Sequence, residues 1–149
     1  MGKNNPGLTT DDVRAYINDV VSRNKLLQDE EFSEDRIRLA LELACDDFNN
    51  IPIQTNFSVE RFPARAILLL GAVAHLYGGE RFAMARNNLT YSDAGVNVND
   101  QDKAGIYAEL SNQAKAEFEQ KAKQWKREYN IKKGWGGFGS EYAGYYRTR

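Results

Sequence analysis

Along most of the chain the apolar positions recur at spacings of three and four, the period of a helix with one buried face. Val13, Tyr16, Ile17, Val20 and Val21 form such a stripe behind Thr9-Thr10-Asp11-Asp12, whose hydroxyls and carboxylates suit a helix N-terminus. Asn24 to Glu31 is polar and reads as a loop with some helical character. Ser33 marks the next start, with Phe32 before it and Ile37 four positions after the cap placed for a hydrophobic staple. Ile37, Ala40, Leu41, Ala44 and Phe48 continue that face until Asn49, Asn50 and Pro52 end it. Ile51 to Val59 is a connector. Pro63 suits the first turn of a third helix, in which Ala66, Ile67, Leu69, Leu70, Val73, Ala74, Leu76 and Tyr77 are apolar nearly all round. That helix is expected at the centre of the core, continuing with a bend through Gly78-Gly79 to Phe82, Met84 and Ala85.

Residues 87–102 change character. Leu89-Thr90-Tyr91 and Val96-Asn97-Val98 are strand-capable runs on either side of Ser92-Asp93-Ala94-Gly95, a turn composition, so a small hairpin or a protruding loop is predicted. Asp100 is placed to cap a long last helix carrying Ala104, Tyr107, Ala108, Ser111, Ala114, Phe118, Ala122, Trp125 and Tyr129 on one face. A helix from Gln101 to Asn130 would be about 45 Å long, against about 35 to 40 Å for a compact domain of this size. Its distal half is therefore expected to pack on a neighbouring copy, with Phe118, Trp125 and Tyr129 as oligomer contacts. The remainder alternates glycine with large aromatics in KKGWGGFGSEYAGYYRTR and reads as an extended arm. The expected fold class is mainly α: a compact helical bundle with a small hairpin or loop, a long helix and an extended arm. Residues 1–8 would be a flexible N-terminus, 9–130 the helical domain with the loop 87–102, and 131–149 the arm.

The 149 residues suffice for one buried core. With 28% charged residues and a mean hydropathy of -0.65, no run approaches the length of about 20 apolar residues needed to span a bilayer. The opening MGKNNPG lacks the apolar stretch of a signal peptide, so the expectation is a chain made in the cytoplasm. The net charge of -1 conceals an asymmetry, because residues 1–102 hold 16 acidic against 10 basic residues and residues 103–149 hold 5 against 10. Such a dipolar chain is suited to orientation within an assembly or to turning its basic end toward nucleic acid.

Candidates for chemistry are few. His75, the sole histidine, sits within the apolar third helix and reads as a structural residue with a hydrogen-bond partner. Cys45, the sole cysteine, has Asp46 and Asp47 beside it, which disfavours a thiolate, and reads as packing. The acidic pairs Asp11-Asp12 and Asp46-Asp47 are adjacent in sequence and do not face one another on a helix. No catalytic, cofactor-binding or metal-ligating residue is expected, and no cofactor. Gly134-Trp135-Gly136-Gly137-Phe138-Gly139 lacks the Lys-Ser/Thr and the preceding strand of a phosphate loop. Two readings of the arm stand. Trp135, Phe138, Tyr142, Tyr145 and Tyr146 suit anchors in protein pockets. Interleaved with Lys132, Lys133, Arg147 and Arg149, they also fit a basic aromatic arm that stacks on bases; the docking reading is preferred because the basic count is low.

The chain resembles the head-to-tail connector, or adaptor, proteins of tailed bacteriophages. The likeness is carried by Leu8-Thr9-Thr10-Asp11-Asp12-Val13 before a short helix, Ala40-Leu41-Glu42-Leu43-Ala44-Cys45-Asp46-Asp47-Phe48-Asn49 ending the second, and the apolar Ala66 to Tyr77 helix. Leu89-Thr90-Tyr91-Ser92-Asp93-Ala94-Gly95, the long last helix and the extended end complete it, so it spans Leu8 to Arg149. The resemblance implies a structural virion protein at the head-tail interface: a homo-oligomeric ring of about twelve identical subunits matching the portal. It further implies a central channel for passage of double-stranded DNA, an arm docking on the portal protein, and the 87–102 loop reaching a tail or second neck protein. No membrane partner is implied.

Overall fold

In the computed structural model, which describes residues 7–24, 29–86, 90–93, 96–99 and 101–135, the described residues form four α-helices. These are α1 (Thr10–Ile17), α2 (Glu34–Asn50), α3 (Arg65–Arg86) and α4 (Gln101–Trp135). A short 3-10 turn, Val59–Arg61, precedes α3, and strands β1 (Thr90–Asp93) and β2 (Val96–Asn99) lie between α3 and α4. The protein is mainly helical, as the apolar spacing predicts.

Local chemistry sets the starts. The Thr9 hydroxyl accepts from the Asp12 amide at 3.2 Å and the Asp12 carboxylate accepts from the Thr9 amide at 2.9 Å, a reciprocal capping box for α1. Arg65 of α3 donates to the same carboxylate at 2.8 Å, so the cap also ties the two helices together. The Ser33 hydroxyl accepts from the Arg36 amide, and the stapling residues Phe32 and Ile37 are both buried. The end of α1 departs from expectation. Asn18 adopts a left-handed conformation (φ 56°) and its amide bonds to the Arg14 carbonyl, stopping the helix after Ile17. Val20 and Val21 thereby leave the predicted stripe and stand exposed.

The central helix is α3, which packs against both α2 and α4. It begins at Arg65, two residues past Pro63, so the proline precedes the first turn instead of occupying it. It then continues through Gly78-Gly79 to Arg86. Gly71 makes the close approach possible: a methyl group there would lie 2.7 Å from the Ala44 Cβ of α2 and 2.9 Å from the Phe118 ring of α4. Ser111 of α4 donates to the Ala74 carbonyl at 2.8 Å, a second stitch along the same seam.

The hairpin pairs β1 and β2 antiparallel, with Thr90 opposite Asn99 and Asp93 opposite Val96. Ser92 and Asp93, expected in the turn, are strand residues.

Two expectations about α4 are corrected. It runs five residues past Asn130, so Ile131 to Trp135 belong to the helix and not to an extended arm; its 35 residues span about 52 Å. Nor does its distal half lack a core of its own to pack on. Ser111, Ala114, Phe118, Ala122 and Lys126 are buried in the protein's own core. Trp125 lies 5.6 Å from Phe48 and 5.9 Å from Phe57, ring centre to ring centre, and Tyr129 stacks on Trp125 at 4.9 Å. Phe118, 3% exposed, belongs to the intramolecular core and is not available as an oligomer contact, whereas Trp125 and Tyr129 pack on that core and keep part of their surface exposed. The compact-domain diameter misleads because α3 lies along α4 and the connector continues beyond it, Phe57 reaching Tyr129.

Candidate functional site

Three buried charged groups, Asp19, Glu80 and Lys126, and the partly buried Tyr107 hold the bundle's shape, and the sequence pattern marks none of the three charges. Asp19, just past α1, accepts from the amides of Glu31 (2.7 Å) and Phe32 (3.0 Å), from Asn24 Nδ2 (2.7 Å) and from Arg14 Nη1 (3.2 Å). Burial pushes its pKa up, but these four donors outweigh burial and hold the carboxyl below its ordinary value. Glu80 of α3, also buried, pairs with Arg36 of α2 at 2.9 Å. The Tyr107 hydroxyl of α4 donates to Glu31, and burial first, then that carboxylate, pushes the phenol's pKa up. Lys126, 1% exposed, donates to the carbonyls of Asn49 (3.3 Å), Ile51 (2.5 Å) and Ile53 (3.0 Å) and lies over the Phe48 ring. Its cation meets the carbonyl end of α2, where the helix dipole is negative, while burial lowers its pKa.

Asn49 organises the connector between α2 and α3. Its side-chain carbonyl accepts from Thr55 Oγ1 and the Phe57 amide at 3.0 Å each, and its Nδ2 donates to the Phe57 carbonyl at 2.9 Å. This side-chain mimicry of a strand partner turns Phe57 inward against Phe48, Phe62 and Trp125.

The residues considered for chemistry are accounted for separately. Cys45 is buried, its thiol donates to the Phe57 carbonyl at 3.2 Å, and burial followed by the Asp46 charge pushes its pKa up; the environment disfavours a nucleophile. His75 has the expected hydrogen-bond partner, with Nε2 2.9 Å from Asp47 Oδ2, but the pair lies on the half-exposed α2–α3 flank and not in the core. Asp12 is a helix cap. A polar cleft of about 620 Å³ between α1 and the start of α2 is lined by Asp11, Arg14, Glu30, Glu34 and Arg36, with Arg14 already paired to Glu30 at 2.9 Å. Among the described residues no group of three or more His, Cys, Asp or Glu side chains is arranged to hold a metal ion. Among them, too, no helix is long and apolar enough to cross a membrane.

What the surface offers is apolar. On one flank, a hollow of about 270 Å³ opens between α1, α3 and α4, lined chiefly by Tyr16, Ile17, Leu70, Val73, Tyr77 and Leu110, with Glu117 at its rim. Tyr16 is 55% exposed and Leu110 40%. Beside it a shallower hollow continues along Leu8, Ala15, Ala66 and Leu69. On another flank Leu39 and Leu43, four apart on the outer face of α2, are exposed, as is Phe82 of α3. Helical spacing puts the two on opposite sides of α3: at about 100° per residue, His75 and Phe82 point about 180° away from Ala66 and Val73.

Of the predicted docking residues, Trp135 is the last residue of α4, and Lys132 and Lys133 lie in its last turn, where cations complement the helix dipole. The Lys133 ammonium sits 5.7 Å from the Tyr129 ring. Phe138, Tyr142, Tyr145, Tyr146, Arg147 and Arg149 lie outside the described residues. The sequence analysis missed the hollow. Its signal was available in Tyr16 and Ile17, apolar residues that α1 is too short to bury completely.

Comparison with protein-family models, curated proteins and solved structures finds no match to this chain.

Proposed function

We propose that the protein is a non-catalytic structural subunit that assembles head to tail into a ring, and that the ring is the connector between portal and tail of a tailed bacteriophage, with the genome passing through its channel. The observation that carries the assembly reading is the pair of apolar patches on opposite sides of α3. A ring needs two different surfaces on each subunit, one for each neighbour, whereas a two-fold dimer needs only one self-complementary patch. Exposed apolar surface that recurs on opposite flanks is what such an arrangement would bury. The placement between portal and tail follows from the resemblance described above, carried by the same order of elements: capped short helix, acidic-ended second helix, apolar third helix, hairpin and long last helix.

Negative-stain microscopy and native mass spectrometry of the purified full chain, alone and mixed with a portal protein, test the proposal. The expected result is a closed ring of about twelve copies whose formation the portal promotes. A chain that stays monomeric with and without portal overturns it. Titration with duplex and single-stranded DNA at about 0.15 M salt separates the competing nucleic-acid reading. Sub-micromolar binding lost on neutralising Lys132, Lys133, Arg147 and Arg149 would favour that reading; weak, strongly salt-dependent binding is expected.

A further inference from the structure

We infer that the hollow between α1, α3 and α4 receives the aromatic residues of the 136–149 segment from a second copy of the chain, a contact that rests on the assembly reading above and names the occupant of one of its two patches. The hollow's chemistry selects side chains over a metabolite. At about 270 Å³ it is an open hollow at the lower edge of the range of about 300–1,000 Å³ usual for small-molecule pockets, with room for one or two aromatic rings. Its lining carries two tyrosine rings, Tyr16 and Tyr77, that suit edge-to-face contact with another aromatic. The chain's own sequence supplies the matching group: Phe138, Tyr142, Tyr145 and Tyr146, followed by Arg147, which would share with Lys121 the Glu117 carboxylate that Lys121 already pairs.

Reach decides which copy supplies it. The lining residues of α4 run from Leu110 to Glu117, about 27 to 38 Å back along the helix from Trp135. An extended chain covers at most about 3.6 Å per residue, so Phe138 reaches about 11 Å and Tyr142 about 25 Å from Trp135. Returning along its own helix also requires reversing direction, which consumes about four residues with little advance. Tyr145 and Tyr146 then fall at or short of the near rim. The four aromatics cannot enter their own hollow together, and a second copy has no such limit. Arm and hollow are different surfaces, so the contact is heterologous and repeats from copy to copy.

A complementation experiment with full-length chains tests this. One variant blocks the hollow (Leu110→Arg, with Tyr16→Arg as an independent second choice, both at exposed positions); the other replaces Phe138, Tyr142, Tyr145 and Tyr146 with Ser. Circular dichroism and urea midpoints establish that each is folded. In analytical ultracentrifugation, each variant alone is expected to associate at least tenfold more weakly than the wild type. Their equimolar mixture is expected to yield a 1:1 pair and nothing larger, since only one hollow and one arm remain intact. Wild-type-like assembly by either variant overturns the inference and leaves the ring proposal standing. A mixture that stays monomeric while the wild type assembles also overturns it. Pairing in the mixture with open filaments from the wild type supports the contact and overturns the closed ring. A wild type monomeric at about 100 μM overturns both.

Discussion

Gly71→Ala and Gly105→Ala make the same chemical change in two helices, and the two should shift stability in opposite directions. Replacing a helical glycine by alanine ordinarily stabilises by about 0.5–1 kcal/mol, because the unfolded chain loses freedom it would otherwise regain. Gly105, on α4, has nothing within 4 Å of the position a methyl group would take, so it should show that gain unopposed. At Gly71 the methyl would lie 2.7 Å from the Ala44 Cβ and 2.9 and 3.0 Å from two Phe118 ring atoms. Carbon atoms prefer about 3.5–4.0 Å, so α2 and α4 must each retreat from α3 by up to about 1 Å. Neither neighbour can swing aside: Ala44 has no rotatable side chain, and the Phe118 ring is enclosed. Overpacking of this kind costs about 1–3 kcal/mol, with the higher end expected because two helices are displaced at once. Net of the propensity gain, Gly71→Ala should lose about 1–2 kcal/mol, a fall in Tm of about 2–8 °C for a chain of this length. Urea unfolding followed by circular dichroism gives both values from one protocol. A Gly71→Ala protein as stable as the wild type, at unchanged m value, would refute the close approach of the three helices.

Three further outcomes are expected. Asp19 has a folded-state pKa below its unfolded value of about 3.9, so its contribution is fully present above that value and disappears as pH falls through it toward the folded pKa. Asp19→Asn should therefore lower stability at pH 7 and flatten the acid limb of a stability profile measured from pH 5 to 2; an unchanged limb would show that the carboxylate is not held by its four donors. Trp125→Ala should cost about 2–4 kcal/mol in a monomeric sample, since the partly buried ring packs on Phe48, Phe57 and Tyr129; a loss seen only as weakened oligomerisation would favour an intersubunit role instead. Cys45 should react with a thiol reagent only as fast as the protein unfolds, and rapid labelling at pH 8 in native buffer would contradict its burial and raised pKa.

The features legible in the sequence are those whose causes lie within a few residues. Thr9 with Asp12 and Ser33 with the Phe32–Ile37 staple announce helix starts because donor, acceptor and apolar pair are neighbours along the chain. The 3.6-residue period of Phe118, Ala122, Trp125 and Tyr129 was equally readable as a buried face. What that face is buried against was not, because the partner, the Asn49-organised connector with Phe57, is about seventy residues away. Asp19 and Lys126 were invisible for a related reason. Their partners are mostly backbone amides and carbonyls, which leave no trace in residue identity. The hollow escaped notice because it depends on where α1 stops, and that stop depends on Asn18 taking a left-handed conformation that many loop asparagines do not adopt.

Lys126 also has a mechanical meaning. Its ammonium grips the Asn49 carbonyl at the end of α2 and those of Ile51 and Ile53 just beyond it, at the place where a connector would otherwise be the most compliant part of the bundle. The clamp fixes the connector to the long helix. A torque applied beyond Tyr129 is handed to α2 and the aromatic core and is not spent in flexing residues 51–58. Toward its other end α4 is fastened to α3 by Ser111 and by Phe118 against Gly71, and it runs on to Gln101, about 38 Å from the clamp and next in sequence to the hairpin. The distal connector and the hairpin are thus joined by one braced helix and not by a compliant link.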